Sequence, residues 1–233
     1  MKVEIWSDIM CPFCYVGKHR FERALAQFPD KDKIEVEWKS FQLDPTIQGI
    51  VSKDVYFAKK GFSEQQFNAV SQNLRQMTSE ENIVIDIEKS IISNTYKAHQ
   101  LIQLAKAINC TADVEEVLFK MYFEEGWNMD DEATIYKAAN RLGINHEQVK
   151  DALDNNTYRQ AFEMDLYEAQ QFGVTGVPFF ILDSKFAISG AQPIEHFLGG
   201  LNQAYTEWKA KQPKTLINLS NTSGESCDIN GNC

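Results

Sequence analysis

Apolar positions along the chain change their spacing several times, and each change predicts a different element. Val3 and Ile5 alternate with Lys2 and Glu4, which predicts a short strand over Val3–Trp6. Val16, Phe21, Leu25 and Phe28 then recur at helical spacing until Pro29-Asp30 breaks the run. Ile34, Val36 and Trp38 alternate with Glu35, Glu37 and Lys39 in a second strand, and FQLDP (Phe41 to Pro45) closes a β-α-β unit.

From there to about Asn156 the pattern is almost entirely helical. Phe62-Ser63 followed by Gln66-Phe67 reads as a capping box with a hydrophobic staple, opening a helix with Phe67, Val70, Leu74 and Met77 inward. Ser93 or Asn94 is placed to cap a helix carrying Ala98, Leu101, Ala105 and Ile108. Thr111 is expected to begin another, with Asp113, Glu115 and Glu116 in its first turn. A further helix pair is expected over Ile135–Leu142 and His146–Leu153, parted by Gly143. Strand-helix alternation then returns. Tyr158, Phe162, Leu166, Ala169 and Phe172 mark a helix stopped by Gly173. Two strands, Val177–Leu182 and Phe186–Ser189, follow, and Pro193 starts a last helix with Ile194, Phe197, Leu201 and Trp208 toward the core. The pattern is that of an α/β protein with a helical subdomain inserted between its strands. After Pro213 the composition is polar and reads as a tail.

Charge narrows the function classes. The 233-residue chain carries a net charge of −10 and shows no basic stripe, which argues against nucleic acid as a partner. No apolar run approaches membrane-spanning length, so no membrane role is expected. MKVEIWSD enters a strand at once without a charged-then-apolar leader, so a cytoplasmic location is expected.

Cysteine carries the chemistry. CPFCYVG (Cys11 to Gly17) follows the first strand and opens the first helix. A cysteine at a helix N-terminus meets unpaired N–H groups and the positive end of the helix dipole, which favour thiolate. A second cysteine one turn inside is close enough to attack a mixed disulfide on the first. GVTGVPFF (Gly173 to Phe180) sets a proline in a strand-like run, where it belongs at a strand start or edge, and makes Val177–Pro178 a candidate cis peptide.

These motifs, in this order of elements, resemble the DsbA-type branch of the thioredoxin superfamily. CPFCYVG, FQLDP, the NTYKAHQL run (Asn94–Leu101), GVTGVPFF and GAQP (Gly190–Pro193) together are similar to the FrnE-like oxidoreductases, up to about Lys211. The resemblance implies a thioredoxin-like domain from residues 1–45 and 157–212, a helical insertion at 46–156 and a tail at 213–233. It implies a thiol–disulfide oxidoreductase with Cys11 as nucleophile, Cys14 as resolving cysteine and Pro178 as the cis-proline packed on the pair. Val177 would pair its backbone with an extended substrate segment. Phe13, Phe41, Leu43 and His99 are the further candidates for substrate contact. The implied partners are protein or small-molecule thiols and disulfides, with glutathione a candidate co-substrate, the Cys11–Cys14 disulfide the only redox group, and a monomer or homodimer as the assembly. Where strongly oxidising relatives place a histidine between the cysteines, this chain has Phe13. Where relatives place an acid on the first strand, it has Ile5, with Glu4 and Asp8 as neighbours.

Several features have plainer readings. CxxC is also half a zinc site, and Cys227 with Cys233 could supply the other two thiolates, but zinc gives no reason for the Val-Pro element. The tail pair Cys227/Cys233 is either a second redox couple exchanging with Cys11–Cys14 or two idle thiols. Cys110 reads as a small buried hydrophobe, His19 as a surface or packing residue, and Tyr15 as either core or cleft. Glutathione-dependent isomerases and kappa-class transferases share the implied architecture, but they leave Cys14 without a use.

Overall fold

The computed structural model describes residues 1–110 and 112–212. Four strands make one sheet in the order β2-β1-β3-β4: β1 (Lys2–Ser7), β2 (Glu35–Ser40), β3 (Phe179–Leu182) and β4 (Phe186–Ser189). β1 and β2 run parallel, joined through helix α1 (Pro12–Gln27), while β3 lies antiparallel to β1 and β4 antiparallel to β3. In β1 the period of two holds, but both faces are covered. Val3 and Ile5 pack with Phe21, Phe180, Phe197 and Leu201 under α1 and the last helix, α9 (Ile194–Lys211). Trp6, on the other face, packs with Ala169 and Ile181.

Between β2 and β3 lie α2 (Lys53–Lys59), α3 (Glu64–Glu81), α4 (Tyr96–Ala107), α5 (Val114–Phe119), α6 (Glu132–Arg141), α7 (His146–Asp154) and α8 (Arg159–Gln171). The thioredoxin-like sheet with an inserted helical cover is therefore the architecture of the chain. The largest apolar cluster belongs to that cover, and it reaches back to include Ile9, Met10, Cys11, Cys14 and Tyr15.

Local signals were read with mixed success. The Ser63/Gln66 capping box is present, and the staple rings Phe62 and Phe67 both pack on Phe57 of α2. Val70, expected inward, is exposed. The N-cap of α4 is Thr95 rather than Ser93 or Asn94; Asn94 works from one position further out, its Oδ1 accepting from Tyr96 N–H at 2.9 Å. The helix expected from Thr111 is capped instead by Asp113, whose carboxylate accepts from Glu116 N–H, and Thr111 lies outside the described residues. Past α5 the backbone widens into a π turn, Lys120–Glu124. β3 begins at Phe179, two residues later than predicted, because Pro178 has no N–H to give the ladder.

Candidate active site

Pro12 occupies the first helical position of α1 and Cys11 its N-cap, so the chain turns from β1 into α1 at the first cysteine. Asp8 carbonyl accepts from Cys11 N–H at 3.0 Å and holds that turn. Both sulfurs are free thiols. Cys11 Sγ donates to the carbonyl of Val177 at 3.5 Å, and the Val177–Pro178 peptide is cis. Cys14, one turn on, is fully buried. Burial pushes its thiol well above the usual cysteine range, helped by contact with Cys11, while the backbone N–H of Asp8 and the Ser7 hydroxyl pull weakly the other way.

Gly17 explains the last position of the CPFCYVG motif. A Cβ there would stand 2.9 Å from Cγ of Pro178 and 3.5 Å from Cζ of Phe180. The proline ring thus lies against the bare backbone of α1, one turn after the cysteines.

Cys11 forms part of the wall of a cavity of about 300 Å³. Phe13, Leu43 and Val177, all named from the sequence, line it too. The far wall comes from α2 and α3 through Tyr56, Phe57, Phe67 and Leu74, and the floor from Tyr122 and Phe123 of the π turn. Burial and the nearby Asp44, Asp8 and Cys11 push the Tyr56 hydroxyl up to about 12; burial raises that of Tyr122 as well. Both are therefore neutral hydrogen-bonding groups in a mostly apolar chamber that Lys53, Ser71 and Ser90 also line. A cavity of this size, mostly apolar with a few polar groups and a nucleophile in its wall, can seat the group flanking a reacting sulfur.

Two residues named from the sequence lie elsewhere. Phe41 is half-buried against the Trp6–Ala169–Val174–Ile181 cluster and does not line the Cys11 cavity. His99, a candidate for substrate contact with helix packing as its plainer reading, is buried on α4 beside Phe162 and Asp8, as the plainer reading has it. Asp8 is the acid the sequence left insecure: it is fully buried, and its carboxylate accepts from Leu43 N–H at 2.8 Å and Met10 N–H at 3.4 Å. The tail pair Cys227 and Cys233 lies outside the described residues. Cys110, at the turn after α4, is partly buried and packs on the edge of the largest apolar cluster. Among the described residues, no group of three or more His, Cys, Asp or Glu side chains could hold a metal ion.

Lys18 was not singled out in the sequence, yet it is almost fully buried on α1 and ringed by Asp113, Glu116 and Glu22 at 2.6, 3.1 and 2.8 Å. Burial draws its ammonium down, but Asp113 and Glu22 outweigh that and leave it raised. His19 Nε2 reaches the same Glu116 at 3.1 Å, and the Tyr15 hydroxyl donates to it at 3.1 Å. Tyr15 is thus core, stacked on Phe119 with ring centroids 4.9 Å apart.

Residues 2–202 match the family model of the DSBA-like thioredoxin domain, and the chain belongs to that family. It is 36% identical, with a TM-score of 0.84, to the crystal structure of the probable DsbA oxidoreductase SCO1869 from Streptomyces coelicolor, over 99% of this chain and 97% of that one. An uncharacterized protein of Bacillus subtilis, YwbO, is 28% identical over 77% of this chain and 86% of its own length. The fold is shared as well by 2-hydroxychromene-2-carboxylate isomerase, at 15% identity and a TM-score of 0.66, over 91% of this chain and 100% of that one. The fold and family are those of thiol–disulfide oxidoreductases in general. No helix among the described residues is long and apolar enough to cross a membrane.

Proposed function

We propose that this chain exchanges thiols and disulfides through Cys11 and Cys14, on protein or small-molecule substrates. The observation that carries the reading is the place of Cys11: at the N-cap of α1, its sulfur 3.5 Å from the carbonyl before cis-Pro178, in the wall of an apolar cavity. In the oxidising direction, substrate thiolate attacks the Cys11–Cys14 disulfide at Cys11 and expels Cys14 thiolate; a second substrate thiolate then releases Cys11. In the reducing direction, Cys11 thiolate attacks a substrate disulfide and Cys14 displaces the product from the mixed disulfide. Glutathione is the small thiol proposed to recycle the pair, and the cytoplasm the compartment.

Equilibration in glutathione redox buffers, with acid trapping and mass spectrometry of the Cys11–Cys14 bond, tests the reading. A reversible bond with a potential of about −120 to −180 mV would mark an oxidase or isomerase, and one near about −270 mV a reductase. Cys11→Ser should abolish turnover. Absence of any reversible bond, or turnover that survives Cys11→Ser, would reject the assignment.

A further inference from the structure

Glu115 is a buried acid that the exchange chemistry does not use. It lies in the first turn of α5, 8% exposed, and among the described residues no other side chain hydrogen-bonds or ion-pairs with it. Its own backbone amide is the donor it finds. The cations beside it are committed elsewhere: Lys106 of α4 stands 2.9 Å from Glu37, and Lys18 of α1 stands 2.6 Å from Asp113. A carboxylate taken out of water is costly unless it is paired, so packing alone gives no reason for this one.

Glu115 lines a cleft of about 490 Å³ between β2, the last turns of α4 and the start of α5, apart from both Cys11 and Cys14. Val36, Trp38 and Ile102 give the cleft apolar surface, and Glu35, Glu37 and Asp113 give it further carboxylates. We propose that this cleft is a second binding site, which takes an organic cation, an ammonium or guanidinium on a short apolar stem, with Glu115 as its counter-ion. The proposal is independent of the redox reading. A bare metal ion does not suit the donors, because no group of three or more His, Cys, Asp or Glu side chains among the described residues could hold one. An organic cation asks for less: a carboxylate for its charge and an aromatic or aliphatic wall for its stem.

Two sources supply that chemistry, a free amine and a lysine or arginine side chain on an extended peptide. The backbone of β2 can serve the second. β2 is an edge strand, and the N–H groups of Glu35 and Phe41 bond the Met1 and Ser7 carbonyls. Residues of the other alternation, Val36, Trp38 and Ser40, therefore turn their main-chain groups away from β1. The Ser40 N–H goes to the Asp165 carboxylate at 2.8 Å, while Val36 and Trp38 border the cleft.

Binding is linked to a proton. Desolvation pushes the Glu115 carboxyl up to about 7; its own amide, Lys18 and Lys106 pull the other way, and Asp113 adds to the rise. Glu35 and Glu37 of β2 and Cys110 after α4 are the other titratable groups on the cleft. The cation pairs with the ionised carboxylate, so Glu115 gives its proton to solvent on binding, and affinity falls as pH drops below about 7.

Cys110 lines the same cleft and reports on it. The test follows its alkylation by N-ethylmaleimide in the full-length protein, by mass spectrometry of the Cys110 peptide, and so does not depend on exchange at Cys11. The probes are pentylamine, pentanol as its uncharged counterpart, and the blocked tripeptide valyl-lysyl-valine. At pH 8 pentylamine should slow the alkylation with a half-effect at about 1 mM, and pentanol should need about tenfold more. At pH 6 the pentylamine half-effect should rise about tenfold. Glu115→Gln should weaken pentylamine about tenfold at pH 8 and remove the pH dependence, while pentanol is unchanged. Tighter protection by the tripeptide than by pentylamine would assign the cation to an extended chain on β2; equal or weaker protection would assign a free amine. Equal protection by pentylamine and pentanol, or none by pentylamine at about 50 mM, would overturn the proposal without any variant. An unchanged pentylamine response in Glu115→Gln would overturn it as well.

Discussion

Toward α2 and α3 the first turn of α1 meets mostly rings and aliphatic chains: Phe13, Tyr56, Phe57 and Leu74 surround the Cys11 cavity, which Tyr122, Ser71, Ser90 and Lys53 also line. One and two turns further along, the same helix is gripped by charge. Lys18 is ringed by Asp113, Glu116 and Glu22, while Arg20 and Arg23 both reach Glu81 of α3, at 3.0 and 2.7 Å, and Arg20 also reaches Glu80. The mostly apolar end can change the chemistry of a sulfur, because few charges there screen it. The charged stretch can hold α1 in register with α3 and α5, because its ion pairs are directional and partly desolvated. Reactivity and fixation are thus separated along one helix by about two turns.

The strongest test of that separation is Glu81→Ala. Glu81 is almost wholly buried and serves two arginines, one of them, Arg20, buried as well. Its removal leaves a desolvated guanidinium with only Glu80 and the Ala191 carbonyl for partners. A loss of about 3 kcal/mol in urea unfolding is expected, with the alkylation rate of Cys11 in the still-folded protein nearly unchanged. A large change in that rate would show that the two regions are not independent.

Next in size is a contrast between neighbours on α5. Glu116 is half-buried but held well below the usual carboxylate range by His19 and Lys18. Glu115 is buried with no such partner, and desolvation pushes it up to about 7. Its folded value exceeds the unfolded one, so between about pH 4.5 and 7 the folded state holds the extra proton and stability falls as pH rises. Glu115→Gln should therefore add about 3 kcal/mol at pH 8 and little near pH 4.5. Urea titrations at the two values check it; equal gains at both would place the effect in packing instead.

Much of this was legible in the chain. Period-two stretches became β1 and β2 and CPFC landed at a helix start, because each depends on local chemistry, while the place of Val177–Pro178 beside Cys11 followed from the resemblance and not from any local pattern. What stayed hidden depends on partners far along the chain. Asp8 meets His99 ninety-one positions away, and Lys18 meets Asp113 at a separation of 95. No local pattern marks those pairs, so the sequence named His99 only as a candidate for substrate contact or packing and did not single out Lys18. Phe41 was misplaced for a related reason: the sequence shows that it follows a strand, but not which face of the sheet the chain then covers.

Gly17→Ala tests the dry side directly. The added methyl would press on the rigid ring of Pro178, which cannot turn away as a flexible side-chain tip would. A destabilisation of about 2 kcal/mol is expected, together with slower exchange at Cys11, since Val177 and its carbonyl move with the ring. Unaltered exchange in the folded variant would mean that the contact supports packing alone.

The smallest expected effect belongs to Phe57→Ala. The Phe57 ring is half-buried in the cavity wall, where Phe62 and Phe67 pack on it at centroid distances of 6.0 and 4.7 Å. Its loss opens the chamber without touching either cysteine, the proline or any ion pair on α1. If the cavity seats the apolar group beside the reacting sulfur, kcat/KM for an aryl disulfide should fall about tenfold, or about 1.4 kcal/mol, while that for glutathione disulfide holds. The ratio of the two is the readout, because a general loosening of the fold would lower both together. A fall confined to the aryl disulfide would assign substrate selection to α2 and α3, on the uncharged side of α1; a parallel fall would return Phe57 to the ranks of packing.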